Sequence, residues 1–267
     1  MHLSRWSRLG LRLFTWGALA FLYVPLAVVV ILSFNEATSL TWPPRGFSTR
    51  WWELARHAEG PRDALWTSVK TACAATAIAL VLGTLAAFGI HRFRFFGRDV
   101  ISFIIILPIA LPGIVTAVAL QTTFGRVGWD LGFRTVVIAH ATFCVVIAFN
   151  NVIARLRRTS PNLLEASADL GADGMQTFRY VTFPLVRSAL LAGGLLAFAL
   201  SFDEIVVTTF TSGPGFETLP QWILNNFSRP NNVPLVNVVA TVVMILSIPL
   251  AWLAQRLSDG AESLVGV

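Results

Sequence analysis

Two adjacent carboxylates, Asp203 and Glu204, lie within a long apolar stretch of the sequence. A charge at membrane depth costs about 2.5–3.5 kcal/mol on insertion scales, so these acids should face protein or water and meet cations there. If residues 188–210 form one helix, the pair lies about fifteen residues, or roughly 23 Å, from its inner end. Such a pair can attract a cationic solute, and it can equally well hold subunits together.

The two carboxylates would not share one role on a single helix. Adjacent helical residues diverge by about 100°, so the acids would point in different directions. Glu204 lies three residues beyond Ser201, which ends a stripe of small residues typical of close helix packing. An arginine of a partner subunit could pair with Glu204 there. Asp203 would point elsewhere and could contact a passing amine. We assign both acids to a substrate pathway.

Enzymatic chemistry has little support in this sequence. His140 is the only histidine within a predicted span, and such a histidine is as readily a hydrogen-bonded packing residue as a functional one. The sequence contains neither His-Glu-x-x-His nor Gly-x-Ser-x-Gly. Cys73 and Cys144 fall inside predicted spans, where a free cysteine behaves as a small apolar residue. No catalytic residue, metal site or cofactor is therefore predicted.

ATP hydrolysis is also not expected from this chain. A phosphate-binding loop needs a glycine immediately before a lysine that is followed by serine or threonine. Lys70 is the only lysine, and it follows Val69 at the start of an apolar run. If transport is driven by ATP, the hydrolysing site must therefore lie in another polypeptide.

Composition places these residues in a membrane protein. The chain is 55% hydrophobic and 13% charged, a balance typical of membrane helices. Apolar runs of about 20 residues can cross the bilayer, and six are present: 13–34, 66–90, 101–123, 135–154, 188–210 and 235–255. The gaps at 35–65 and 155–187 are too short for a separate core. We predict an all-α, polytopic bundle of six transmembrane helices that forms one domain over residues 1–267.

The basic residues indicate the orientation of this bundle. The first span follows three arginines and is interpreted as an uncleaved anchor, since no clear cleavage site closes it. With both termini in the cytoplasm, twelve of the 20 Lys and Arg residues lie inside, as the positive-inside rule expects. They stand at the ends of spans and form no single stripe, which favours anionic membrane lipids over nucleic acid as partners.

The third span is interrupted by prolines. Pro108, Pro112 and Gly113 leave backbone groups that neighbours or water must satisfy, so a kink is expected. Interrupted helices often line transport pathways, and prolines are also simply common in membrane helices. On the first interpretation, Pro108 and Pro112 belong to the substrate pathway.

A polar segment at 155–187 separates the fourth and fifth spans and predicts two short helices. Ser160 can cap a helix that opens with Pro161, and Gly171 can supply the left-handed turn that ends it. Asp173 can cap the second helix, with Gln176 completing a capping box. Pro184 is expected to stop that helix before the next apolar run.

This polar segment carries the residues of a known family signature. The pattern Glu-Ala-Ala-x-x-x-Gly, nine residues, Ile-x-Leu-Pro marks the cytoplasmic loop in membrane subunits of bacterial ABC importers. The chain resembles it at every spacing, with Asp169 inside the first part, and the corresponding residues are Glu165, Ala166, Ser167, Gly171, Val181, Phe183 and Pro184. Three of them depart modestly from the pattern: Ser167 replaces Ala, Val181 replaces Ile and Phe183 replaces Leu. The residues at 201–207 and 212–214 resemble the spermidine/putrescine branch.

The resemblance implies a type I importer permease fold in the bacterial inner membrane. It implies docking of the loop on an ATPase, a similar second permease or a second copy, two ATP-binding subunits and an extracytoplasmic solute-binding protein. The expected solute is a polyamine, with an amino-acid derivative, a phosphonate or ferric ion as alternatives. A passive channel or an intramembrane enzyme is the more distant interpretation.

Overall fold

The computed structural model describes residues 4–38, 42–160, 162–229 and 232–262. These residues form helices and contain no strand, apart from an isolated bridge between Asn35 and Phe47. The all-α prediction is therefore confirmed. The helices are α1 (Arg5–Leu32), α2 (Arg50–His57), α3 (Glu59–Arg92), α4 (Arg98–Ala110), α5 (Gly113–Val127), α6 (Phe133–Arg158), α7 (Asn162–Asp169), α8 (Gly174–Thr177), α9 (Phe183–Phe202), α10 (Val206–Thr211), α11 (Leu219–Phe227) and α12 (Val233–Glu262).

Contacts divide the chain into two compact units. The first comprises Met1–Pro61 with Trp222–Ile248, and the second Arg62–Gln221 with Pro249–Val267. In the first unit, the apolar side chains of α1 are exposed over most of its length, as a helix facing lipid requires. The candidate site lies in the second unit. The prediction of one domain over the whole chain stays a prediction.

The spans differ in number from the six predicted. Among the described residues, four helical runs are long and apolar enough to cross a membrane, and a fifth is possible if the bent pair α4–α5 counts as one span. The predicted fifth span at 188–210 is not one helix, because α9 ends at Phe202. The predicted sixth span lies on α12, where the apolar part described is Val233–Pro249. The count of six is therefore not exact.

Helix α6 forms the centre of the second unit, and much of its length is buried. Small residues let its neighbours approach closely. A Cβ atom on Gly83 of α3 would lie 2.8 Å from the Val145 carbonyl oxygen, and one on Gly193 of α9 would lie 3.3 Å from the Asn151 Cβ atom. Gly83 and Gly193 thus lie on the faces of α3 and α9 that pack against α6.

Candidate functional site

The adjacent acids lie at a break between two helices. Helix α9 ends at Phe202 with Asp203 as its C-cap, and α10 begins at Val206. We call residues 203–205 the acid break. The prediction that both acids lie inside one continuous helix is therefore wrong. The physical reason is local. The Glu204 side chain competes for a backbone hydrogen bond, and β-branched residues, which favour the helix less, dominate the segment that follows.

The two acids have different surroundings. The Glu204 carboxylate is partly buried, and its Oε1 atom accepts a hydrogen bond from the Val207 backbone N–H at 2.9 Å. Glu204 thus caps the first turn of α10, and the predicted pairing with an arginine of a partner subunit stays a prediction. Asp203 is exposed. The break, and not a 100° turn of one helix, places the two acids in different surroundings.

His140 joins α6 to both sides of the acid break. Its ring is fully buried, with Nδ1 2.8 Å from Ser201 Oγ on α9 and Nε2 2.9 Å from Thr208 Oγ1 on α10. Sequence reasoning noticed His140 but missed its partners. The partners are 61 and 68 residues away, and no spacing in the sequence connects residues at that distance.

The bent third span also reaches this region. Helix α4 ends at Ala110, α5 starts at Gly113, and their axes differ by 103°. The predicted interruption is therefore present at Pro112, whereas Pro108 is accommodated inside α4. After the bend, Phe124 of α5 shares a buried apolar cluster with Val207 of α10. The bend thus brings α5 against the helix that follows the acid break.

The first helix of the polar loop ends as the sequence predicts. Gly171 has a left-handed φ of +79°. Its N–H donates to the Ala168 carbonyl at 2.9 Å, and the Ala172 N–H donates to the Ser167 carbonyl at 3.1 Å. This is a Schellman motif, which favours glycine because other residues are strained there. The predicted opening residue, Pro161, lies outside the described residues.

The residues of the loop signature divide into exposed and buried positions. Glu165, Ala166 and Asp169 are exposed on α7. Ser167 is buried, and its Oγ atom lies 2.9 Å from Thr177 Oγ1 on α8. This hydrogen bond joins the two short helices across the turn. Helices α7 and α8 are therefore held together from within the loop, while the other signature residues of α7 remain available to a partner.

The second helix begins as predicted but does not stop at Pro184. Asp173 and Gln176 form the capping box, with bonds of 2.8 and 2.9 Å. The chain then stays helical through a π-helical turn at Phe178–Thr182 and into α9. A proline clashes with the carbonyl four residues earlier in a regular α-helix. The wider π turn immediately before Pro184 relieves that clash, so the helix continues.

Near the loop, α6 makes a second polar contact with α9. Arg155 Nε donates a hydrogen bond of 2.9 Å to the Leu185 carbonyl oxygen. Between Arg155 and His140, Cys144 Sγ donates to the Ala197 carbonyl at 3.3 Å. Helix α6 is therefore joined to α9 from the polar loop to the acid break.

The sequence of this chain is similar to a family of transport proteins and to two permeases. Residues 79–262 match the family described as "binding-protein-dependent transport system inner membrane component". The chain is 35% identical to the spermidine/putrescine transport system permease protein PotC of Haemophilus influenzae, over 94% of this chain and 98% of the relative. It is 37% identical to the putrescine transport system permease protein PotI of Escherichia coli, over 84% and 82%.

Solved structures share the fold at low sequence identity. A chain of a bacterial ABC transporter involved in the import of the acidic polysaccharide alginate aligns with a TM-score of 0.70 and 18% identity, covering 96% of this chain and 99% of that chain. A chain of an amino acid ABC transporter with histidines aligns with a TM-score of 0.61 and 17% identity, covering 78% and 97%. These likenesses concern the backbone fold.

Proposed function

The chain belongs to the family of binding-protein-dependent transport system inner membrane components, and on that premise we propose that its solute is a polyamine such as spermidine or putrescine. It is a multi-pass protein of the bacterial inner membrane and a permease of an ABC importer. Family membership confirms the prediction that the chain is a transport subunit and not an enzyme. The observation that carries the polyamine assignment is its 35–37% identity to polyamine permeases over most of its length.

The acid break supplies a chemical reason for this solute. Asp203 presents an exposed carboxylate, whereas the Glu204 carboxylate is engaged by the Val207 backbone. A carboxylate about 4 Å from an ammonium group gains about 1 kcal/mol in water and about 4 kcal/mol at an effective dielectric of 20. An interaction of this size can draw a polyamine into the pathway without trapping it. We therefore assign the solute contact to Asp203 and the structural role to Glu204.

The polar loop is the proposed docking element for the ATPase. Leu170 and Met175 flank the turn at Gly171 and are 89% and 72% exposed. Large apolar side chains at such a turn are suited to insertion into a groove of a partner. Glu165 would make a polar contact at the edge of this surface. Because α9 continues directly from the loop, movement of the docked loop would be transmitted to the acid break.

The complete importer would contain several further components. We infer a second permease of the same family, two ATP-binding subunits docked on the loops, and an extracytoplasmic binding protein that delivers the solute. Both termini would then be cytoplasmic, and anionic lipids would surround the basic ends of the spans. The bend at Pro112 would let the third span reshape the pathway as it opens to each side.

The test is uptake by the complete complex reconstituted in vesicles. Labelled putrescine and spermidine are compared with an amino acid, ferric ion and 2-aminoethylphosphonate. The last is included because the chain is also 26% identical, over 90% of its length, to a putative 2-aminoethylphosphonate transport system permease protein of Salmonella typhimurium. Polyamine uptake that requires ATP and falls in Asp203→Asn supports the proposal.

The matched control is Asp99→Asn, which removes an exposed carboxylate in the first turn of α4, on the side of the bundle predicted to be cytoplasmic. It should leave uptake unchanged. Preference of the wild-type complex for any other solute in the panel would overturn the polyamine assignment. Solute flow without nucleotide would instead favour a passive channel.

A further inference from the structure

The Asp203 carboxylate has no hydrogen bond or ion pair with other residues that the structure describes. The position from which it projects is therefore set only by the backbone that carries it. That backbone belongs to the acid break, whose neighbouring helices α9 and α10 must be held at a fixed separation. The residue that holds them is buried on α6.

His140 satisfies this requirement through two hydrogen bonds. Ser201 is in the last turn of α9, just before the break, and Thr208 is in α10, just after it. The imidazole lies between their hydroxyl oxygens at 2.8 and 2.9 Å. A single rigid ring thus fixes the distance between the two helix ends, and it does so without any exposed surface.

For a neutral ring, the hydrogen bonds also indicate which nitrogen carries the proton. The Thr208 hydroxyl donates to the Glu204 carbonyl at 2.8 Å, so its oxygen must accept from a protonated Nε2. Nδ1 then accepts a hydrogen bond from the Ser201 hydroxyl. Every polar atom of this neutral ring is satisfied in one arrangement, and the same chain of bonds ends on the backbone of Glu204, beside Asp203.

We propose that His140 is the positioning residue of the acid break: by bridging Ser201 and Thr208 it sets the backbone position from which the Asp203 carboxylate projects, and thereby the apparent affinity for a cationic solute that His140 never touches. The assignment of solute rests on the proposed function. The positioning itself does not depend on which solute is carried, and it can be measured separately.

The first experiment measures the KM and maximal rate of polyamine uptake. Ser201→Ala and Thr208→Val each remove one side of the bridge, and His140→Leu removes both. Loss of one neutral hydrogen bond corresponds to about a 2- to 10-fold change in an equilibrium. We expect KM to rise by that factor in each single-bond variant and further in His140→Leu. The maximal rate and the basal ATPase activity should remain near the wild-type values.

Two further variants separate positioning from general packing. His140→Gln keeps a donor and an acceptor, so it should recover part of the affinity that His140→Leu loses. Cys144→Ala removes a buried hydrogen bond to the Ala197 carbonyl on the same pair of helices, one turn from the bridge. It should leave KM unchanged. If Cys144→Ala raises KM as much as Thr208→Val does, packing of α6 explains the effect and the proposal is wrong.

The second experiment needs no transport. Asp203→Cys is introduced into a Cys73→Ser background, which removes the exposed native cysteine. The complex is then labelled with a cationic methanethiosulfonate reagent. Adding Ser201→Ala or Thr208→Val should change the labelling rate at least about threefold, because the backbone at position 203 is no longer held in one place. An unchanged rate in both variants would overturn the proposal.

The two assays keep the two hypotheses apart. If the wild-type complex carries no polyamine, the proposed solute is wrong, while the labelling rates still decide whether His140 positions residue 203. If polyamine uptake is normal but neither KM nor labelling responds to loss of the bridge, the proposed function stands and the role of His140 fails. If His140→Leu does not assemble, the Ser201 and Thr208 variants give the same information.

Discussion

His140 and Arg155 lie fifteen residues apart on one face of α6 and bond to opposite ends of α9. At 1.5 Å per residue they are separated by about 22 Å, and fifteen steps of 100° leave them about 60° apart around the helix. Arg155 donates to Leu185, next to the polar loop, and His140 bonds to Ser201, next to the acid break. One buried helix therefore contacts α9 at both ends.

Gly171→Val should uncouple ATP hydrolysis from transport. Valine at a φ of +79° is strained by about 1–2 kcal/mol, so the Schellman turn that sets the angle of the two loop helices would reopen. We expect stimulated ATPase activity and uptake to lose their proportionality in reconstituted vesicles. Gly174→Ala is the control, because it begins α8 in a helical conformation with open space around it. Normal coupled transport in Gly171→Val would refute this role.

Arg155→Met should weaken the joint between α6 and the start of α9. A hydrogen bond from a charged group contributes about 1.5–3 kcal/mol, and here the acceptor is the Leu185 carbonyl. We expect a lower thermal midpoint of the detergent-solubilised complex and a lower uptake rate. Arg157→Met removes an exposed arginine from the same helix turn and should change neither quantity. Equal midpoints in the two variants would show that the contact contributes no stability.

Pro112→Ala should reduce the bend between α4 and α5 and slow uptake. The bend lies at Leu111–Pro112, so restoring a backbone N–H at position 112 lets a continuous helix compete with the broken one. Pro108→Ala serves as the comparison, because Pro108 is already inside α4 and its replacement should have the smaller effect. An unchanged uptake rate in the double Pro108 and Pro112 variant would leave the bend with a structural role only.

Glu204→Ala should lower the stability of the complex, whereas Asp203→Asn should lower its affinity for polyamine. Removing the Glu204 cap from α10 should lower the stability of the complex by about 1 kcal/mol, as for other helix caps. Asp203→Asn should preserve stability and raise the KM for polyamine. Glu204→Gln keeps an oxygen that can cap, so it should be milder than Glu204→Ala. Normal polyamine uptake at all concentrations in Asp203→Asn would contradict the electrostatic role of Asp203.

Gly83→Ala should destabilise the packing of α3 against α6. The added Cβ atom would lie 2.8 Å from the Val145 carbonyl oxygen and from the Ala148 Cβ atom, so the helices must separate. Such overpacking costs about 1–3 kcal/mol. Gly89→Ala on the same helix meets nothing within 4 Å, and it should be neutral or stabilising because alanine favours the helix. Thermal unfolding of the two purified variants in detergent provides the comparison.

Local chemistry made several features predictable from the sequence. The length and apolarity of the spans indicate membrane helices because the bilayer sets a minimum length. The turn at Gly171 and the capping box at Asp173 and Gln176 are predictable because each depends on residues within one helical turn. The family signature at 165–184 is likewise a local pattern. These features identified the class of protein and the loop expected to meet the ATPase.

Only the tertiary structure decided how the candidate site is built. The sequence could not place the end of α9 at Phe202, because an apolar run has the same composition whether it forms one helix or two. Nor could it show that a π turn would carry the helix through Pro184. The partners of His140 are 61 and 68 residues away, and such pairs form only when three helices pack together. The sequence alone therefore determined the membrane class and the local caps, while packing decided which buried groups hold the acid break.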